Sequence, residues 1–159
     1  MSASGNSTTD DRELIITRTF AAPRDLVWQM FTDMRHMQQW MGPVEFPAAS
    51  MEGDFRVGGK WRGVLKASDG SGRELGQGGE FREIRAPQRL AYTFKWDDRH
   101  NDPGFETLVT IDLEEEDDDV TLMTFRQSPF NTVQNRDGHV KGWNSAFDRL
   151  DQYLAREGM

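Results

Sequence analysis

The chain contains no cysteine, which excludes a disulfide framework, thiolate nucleophiles and cysteine-ligated metals. It has no apolar run near the ~20 residues that cross a bilayer as a helix. Its first residues, MSASGNSTTDDRE, lack the charged-then-apolar layout of a secretory leader, so the expected location is cytoplasmic. Positive charge is short as well: 19 Lys and Arg stand against 27 Asp and Glu, a net charge of −8. A basic face that neutralises phosphates is therefore not expected, and neither nucleic acid nor an anionic membrane surface fits as partner. Histidine is equally scarce. His36, His100 and His139 are scattered with no spacing for a shared metal, and no Ser or Thr stands in recognisable relation to a base. The residues therefore name no cofactor, no metal and no catalytic group, and no reaction is assigned.

The acid is concentrated in Glu114-Glu115-Glu116-Asp117-Asp118-Asp119. A calcium loop needs alternating carboxylates and a turn glycine; this block has neither and reads as a solvated hairpin turn.

What the sequence does hold is aromatic mass, with five tryptophans and ten phenylalanines. Residues 1–11 are small and polar and read as a disordered tail, leaving 12–159 as a single domain. "ELIITRTF", Glu13 to Phe20, is rich in β-branched residues and reads as a strand. Helical spacing of Val27, Met30, Phe31 and Met34 follows Pro23, and Asp33 is placed to cap a second short helix carrying Met37 and Trp40. From Glu45 the period becomes two. Strands are expected near 45–50, 54–57, 60–67, 73–85, 88–97, 105–115 and 119–127, joined as an antiparallel meander. After Pro129, Val140, Trp143, Phe147, Leu150 and Leu154 recur at three and four, giving one long amphipathic helix.

That order predicts an α+β fold: a curved antiparallel sheet wrapped around a long C-terminal helix, with two short helices after the first strand. One cylinder does not fill a wide concave surface, so a cavity between sheet and helix is expected. Strand alternation and helical spacing nominate its walls as Trp40, Trp61, Phe81, Tyr92, Phe94, Trp96, Val109, Ile111, Met123, Phe125, Trp143, Phe147 and Leu150. On the last strand the set Thr121, Met123 and Phe125 competes with Val120 and Leu122 for the inner face. Gly142 weakens the helix by about 1 kcal/mol, which makes sense where something approaches closely. Arg62, Glu80, Arg82, Glu106 and Gln127 are the polar residues with a chance to project inward.

The pair Gly58-Gly59 in "DFRVGGKWRG" is no phosphate loop, because Lys60 is followed by Trp61 and a strand rather than Ser or Thr and a helix. It reads as a tight turn or bulge with one glycine at positive φ, braced by Asp54 and Arg56.

Taken in order, "ITRTFAAPRDLVWQMFTD", "WMGP", "DFRVGGKWR", "GGEFREIRAPQRLAYTF" and "GWNSAFDRLDQYL" resemble the heat shock protein 90 ATPase activator homologue (AHSA1-like) family. That family belongs to the START-related, birch-pollen-allergen-like helix-grip (SRPBCC) superfamily. The resemblance implies the helix-grip fold and a deep hydrophobic cavity; superfamily relatives carry lipids, hormones or polyketides, and some are cyclases or hydratases. The eukaryotic activator has an additional domain, so the family name does not by itself imply a chaperone role. The expected function is binding of a small hydrophobic or aromatic molecule by a monomer or homodimer. The alternatives are a cyclase or hydrolase acting on a polyketide-like or aromatic substrate, and a chaperone-associated stress-response protein.

Overall fold

The first strand, β1 (Leu14–Phe20), turns Leu14, Ile16 and Phe20 to one side, as period-two alternation requires. Two short helices follow, α1 (Arg24–Thr32) and α2 (Met34–Trp40). Asp33 separates them. Its side chain accepts from the Arg35 backbone N–H at 2.9 Å, the N-cap expected of it, while its own N–H closes α1 on the Gln29 carbonyl. These features belong to a computed structural model that describes residues 11–97 and 105–157.

Six further strands complete an antiparallel sheet: β2 (Ala48–Gly53), β3 (Lys60–Lys66), β4 (Glu74–Arg85), β5 (Arg89–Trp96), β6 (Glu106–Asp117) and β7 (Val120–Ser128). The spatial order is β1-β7-β6-β5-β4-β3-β2, so the first two strands form the edges and the two short helices bridge them. The last element, α3 (Val133–Glu157), lies across the concave face and buries Trp143, Ala146, Phe147, Leu150, Tyr153 and Leu154. This is the α+β helix-grip architecture. The acidic block ends β6 and turns at Asp118-Asp119 with every carboxylate exposed.

Two details differ from the expected layout, and one alternative left open is decided. Residues 54–57 form a loop, not a strand. Arg56 N–H bonds back to the Asp54 carbonyl and Gly59 N–H to the Arg56 carbonyl, both at 2.8 Å, and Gly58 takes φ +86°. A left-handed residue redirects the chain, so alternation cannot continue through it. The expected strand at 45–50 instead begins at Ala48 and runs to Gly53, because Phe46 N–H closes a turn on the Pro43 carbonyl. On β7 the competition for the inner face is decided for Thr121, Met123, Phe125 and Gln127. Thr121 Oγ1 donates to the Ala22 carbonyl at 2.8 Å, which holds that register where β1 ends.

A lip, residues 41–46, connects α2 to β2 and is tied to α3. The Arg149 guanidinium donates to the carbonyls of Gln39, Met41 and Gly42 at 3.1, 3.0 and 2.7 Å, and Ser145 Oγ accepts from Val44 N–H at 3.1 Å. Arg149 thereby satisfies carbonyls that the end of α2 leaves without helical partners.

Candidate functional site

The space between α3 and the sheet is divided at Trp143. Toward the C-terminus it is filled. Phe147 is fully buried, with ring centroids 5.2 Å from Phe125, 5.7 Å from Trp143, 6.1 Å from Trp40 and 6.5 Å from both Phe20 and Phe31. Toward the N-terminus of α3 a pocket of about 270 Å³ remains. The lip supplies Met41, Gly42, Pro43 and Phe46, the sheet supplies Leu65, Leu75, Gln77, Phe94 and Trp96, and α3 supplies Asn135, Gly138, His139, Gly142, Trp143 and Ala146.

Gly138 and Gly142 explain why the space is there. They are one helical turn apart and so share a face. A Cβ built on either would meet nothing within 4 Å. Each glycine costs the helix about 1 kcal/mol relative to alanine, so α3 gives up stability where it faces the pocket. The close approach that Gly142 signals comes from no atom of the described protein.

The aromatic walls are locked by hydrogen bonds. Trp143 Nε1 donates to Gln127 Oε1 at 2.8 Å, and Gln127 Nε2 donates to Thr107 Oγ1 at 2.9 Å. Gln127 is thus the inward-facing polar residue among the sequence candidates, with its amide committed to the wall. Trp96 Nε1 donates to His139 Nε2 at 2.9 Å, while His139 Nδ1 lies 2.8 Å from the Asn135 carbonyl. Those partners assign His139 the neutral tautomer with its proton on Nδ1. Trp61 Nε1 and Trp40 Nε1 donate at 3.0 Å to the carbonyls of Thr93 and Met30. Indole N–H groups that need partners when buried find them within the protein.

One polar side chain on the pocket differs. Gln77 is 2% exposed, yet its side-chain amide makes no hydrogen bond with any described residue. Sequence reasoning missed it because Phe81 was the apolar residue read on β4, and Glu80 and Arg82, on the opposite parity, were the polar residues considered there. The period-two signal was available: counting back from Phe81 places 79, 77 and 75 on the inner face.

Of the residues nominated as cavity walls, Phe94, Trp96 and Trp143 border the pocket. Trp40, Phe81, Tyr92, Val109, Ile111, Met123, Phe125, Phe147 and Leu150 are buried in the filled core. Trp61 is buried as well and also edges a wide, charged groove of about 950 Å³, to which Lys60, Arg62, Glu80, Lys95, Asp97 and Glu106 contribute. Arg62, Glu80 and Glu106 therefore lie at that groove, and Arg82 is exposed. In the groove Arg62 pairs with Asp97, with Nη1 to Oδ1 at 2.7 Å, and this bond holds the Asp97 carboxyl below its usual range. Gly76 makes room for that pair, since a Cβ there would overlap both side chains. Burial raises the Tyr92 phenol and keeps it neutral. His36 Nδ1 lies 2.7 Å from the Tyr153 hydroxyl, and His100 lies outside the described residues. No cluster of three or more His, Asp or Glu among the described residues is placed to hold a metal ion.

A family model described as Activator of Hsp90 ATPase homolog 1-like protein matches residues 21–155. The chain belongs to that family. Solved structures agree on the fold. A protein from Arthrobacter aurescens is 25% identical, with 94% of this chain and 90% of that one aligned at a TM-score of 0.80. The AHSA1 protein of Silicibacter pomeroyi is 23% identical over 91% and 99% of the two chains, TM-score 0.78. A Rhodobacter sphaeroides protein is 23% identical over 94% and 97%, also at 0.78. No curated protein matches the chain. The fold of this AHSA1-like family is one that binds hydrophobic ligands. No described helix is long and apolar enough to cross a membrane.

Proposed function

We propose that this AHSA1-like protein binds a small, predominantly apolar molecule in the pocket between the lip, strands β3 to β5 and the first half of α3. The observation that carries the reading is the pair Gly138 and Gly142, whose open faces keep space beside aromatic walls that are themselves fully bonded. Apolar walls with a few placed polar groups are what small-molecule sites use, typically over ~300–1,000 Å³. A volume of about 270 Å³ sits at the small end and suits a mono- or bicyclic occupant. The reading treats 12–159 as one helix-grip domain acting in the cytoplasm, as monomer or homodimer. Binding is preferred to catalysis because the one titratable side chain lining the pocket among the described residues, His139, has both ring nitrogens engaged.

The experiment is a tryptophan-fluorescence titration with naphthalene, an apolar bicyclic probe, since Trp96 and Trp143 form two walls. Saturable quenching is expected from the native protein and none from Gly142→Leu, whose side chain occupies the space. No saturable signal from native protein with either naphthalene or the equally sized quinolin-2(1H)-one, or equal binding by Gly142→Leu, overturns the reading.

A further inference from the structure

We propose that the pocket selects a neutral planar molecule bearing an adjacent N–H and C=O, a lactam or carboxamide, and that Gln77 is the residue that reads it. The inference rests on the pocket being a ligand site and adds what distinguishes its ligand.

Gln77 sits in the middle of the inner face of β4, paired across the sheet with Gly63 on β3 and Trp96 on β5. On one side the missing side chain of Gly63 leaves the amide Nε2 about where a Cβ contact would begin, 3.3 Å from such an atom. On the other side stands the indole of Trp96, whose N–H is already given to His139. The amide is therefore walled by groups that offer it neither a donor nor an acceptor. A primary amide brings two N–H donors and a carbonyl acceptor, and once an apolar occupant has displaced water from the pocket an unmatched one costs free energy that almost every native polar group avoids. The other polar side chains on the pocket are engaged: His139 through both nitrogens, and Asn135 through Nδ2 to Asn131 Oδ1 at 2.8 Å.

The chemistry of the missing partner follows. Among the described residues no Asp, Glu, Lys or Arg lines the pocket, so an ionised ligand would lose its hydration with no opposite charge to replace it. The occupant is neutral. A ligand carrying only a donor or only an acceptor matches half of the amide. An N–H beside a C=O satisfies both halves in a reciprocal pair of bonds and holds the ligand in one plane and one orientation. Phe46, Phe94, Trp96 and Trp143 offer aromatic surfaces to the rest of such a molecule.

The test compares two probes of one size, quinolin-2(1H)-one, a bicyclic lactam, and naphthalene, followed by tryptophan fluorescence on the full chain. Native protein is expected to bind the lactam about 10- to 100-fold more tightly than naphthalene, because the site rejects an occupant that leaves its polar group unpaired. Gln77→Met, close in shape, should erase that preference while naphthalene binds as well or better. The same variant should melt no lower than native protein, since no hydrogen bond to a described residue is lost; Gln77→Leu repeats the contrast with a different shape. Equal affinity of the two probes for native protein, or an undiminished lactam preference in Gln77→Met, overturns the assignment and leaves the apolar-pocket reading standing. A lower melting temperature in both variants overturns it too, by showing that the amide holds a structural bond. Should neither probe bind native protein, the pocket reading falls and this inference falls with it.

Discussion

The two halves of α3 do different work on the same concave surface. From Trp143 to Leu154 the helix buries aromatic and aliphatic side chains, and Phe147 alone touches rings from β1, α1, α2, β7 and its own helix. From Val133 to Gly142 it presents glycine, Asn135 and His139 to a pocket. One rod in one groove is thus core at one end and container at the other. The difference arises from side-chain volume, since backbone geometry is continuous through both halves. It teaches that a helix-grip fold need not be hollow along its length: residues that pattern equally well as interior are separated into plug and wall by what packs opposite them.

The strongest way to break this contrast is to empty the filled half. Phe147→Ala should cost about 3–5 kcal/mol, the range for deleting a buried aromatic and leaving a cavity. Urea unfolding measures it, and a cost near zero would show that the supposed plug is already loose. Trp143→Ala belongs to the same range and carries an added consequence at the divide, since Gln127 Oε1 loses its donor.

Glycine offers the next test, because the molecule uses it in opposite ways. At Gly59 a Cβ would stand 2.0 Å from the Asp54 carbonyl oxygen, so backbone occupies the place of a side chain. Gly59→Ala should destabilise by about 1–3 kcal/mol, as overpacking against an immovable atom does. Gly58 next to it carries the positive φ but has open space around it, so its replacement strains the backbone alone. At Gly142 the expected sign reverses. Gly142→Ala should stabilise the helix by about 1 kcal/mol and narrow the pocket. A loss of stability there would mean that something already fills that face.

These cases also show what the chain let a reader see in advance. The order of the helices and of the main strands, the inward set of β5 and the amphipathic stripe of α3 were legible, because periods of two and 3.6 are written in Leu90, Tyr92, Phe94 and Trp96 and in Trp143, Phe147 and Leu150. The cap at Asp33 and the brace between Arg56 and Asp54, at 2.7 Å, were legible for the same local reason. Periodicity does not say how much volume faces each residue. It could not tell Phe125, pressed 5.2 Å from Phe147, from Trp96 beside the pocket. Which of two adjacent glycines turns and which is crowded was equally hidden, because Gly59 is decided by a carbonyl five residues earlier. Gln77 was overlooked because a glutamine on a strand is ordinarily a surface residue. Its meaning comes from the partners it lacks, which only the assembled neighbours reveal.

The smallest effect concerns the cap that holds the filled end in place. Asp33 begins α2, which carries Trp40 beneath Phe147, and hydrogen bonding from the Arg35 side chain lowers its carboxyl from 3.8 to about 2. A carboxyl depressed by folding stabilises the fold where it is ionised in both states, above about pH 4. That contribution declines as pH falls from about 4 to 2 and is gone once both states are protonated. Because the Arg35 side chain is 90% exposed, solvent screening holds the gain to the small scale of a surface pair. An asparagine in the same place would cap the helix as well as aspartate does but cannot titrate. The unfolding free energies of native protein and Asp33→Asn should therefore differ slightly at pH 5 and converge as the medium approaches pH 2. A gap that stays constant across that range would show that the cap, and not the charge pair, secures the helix under the plug.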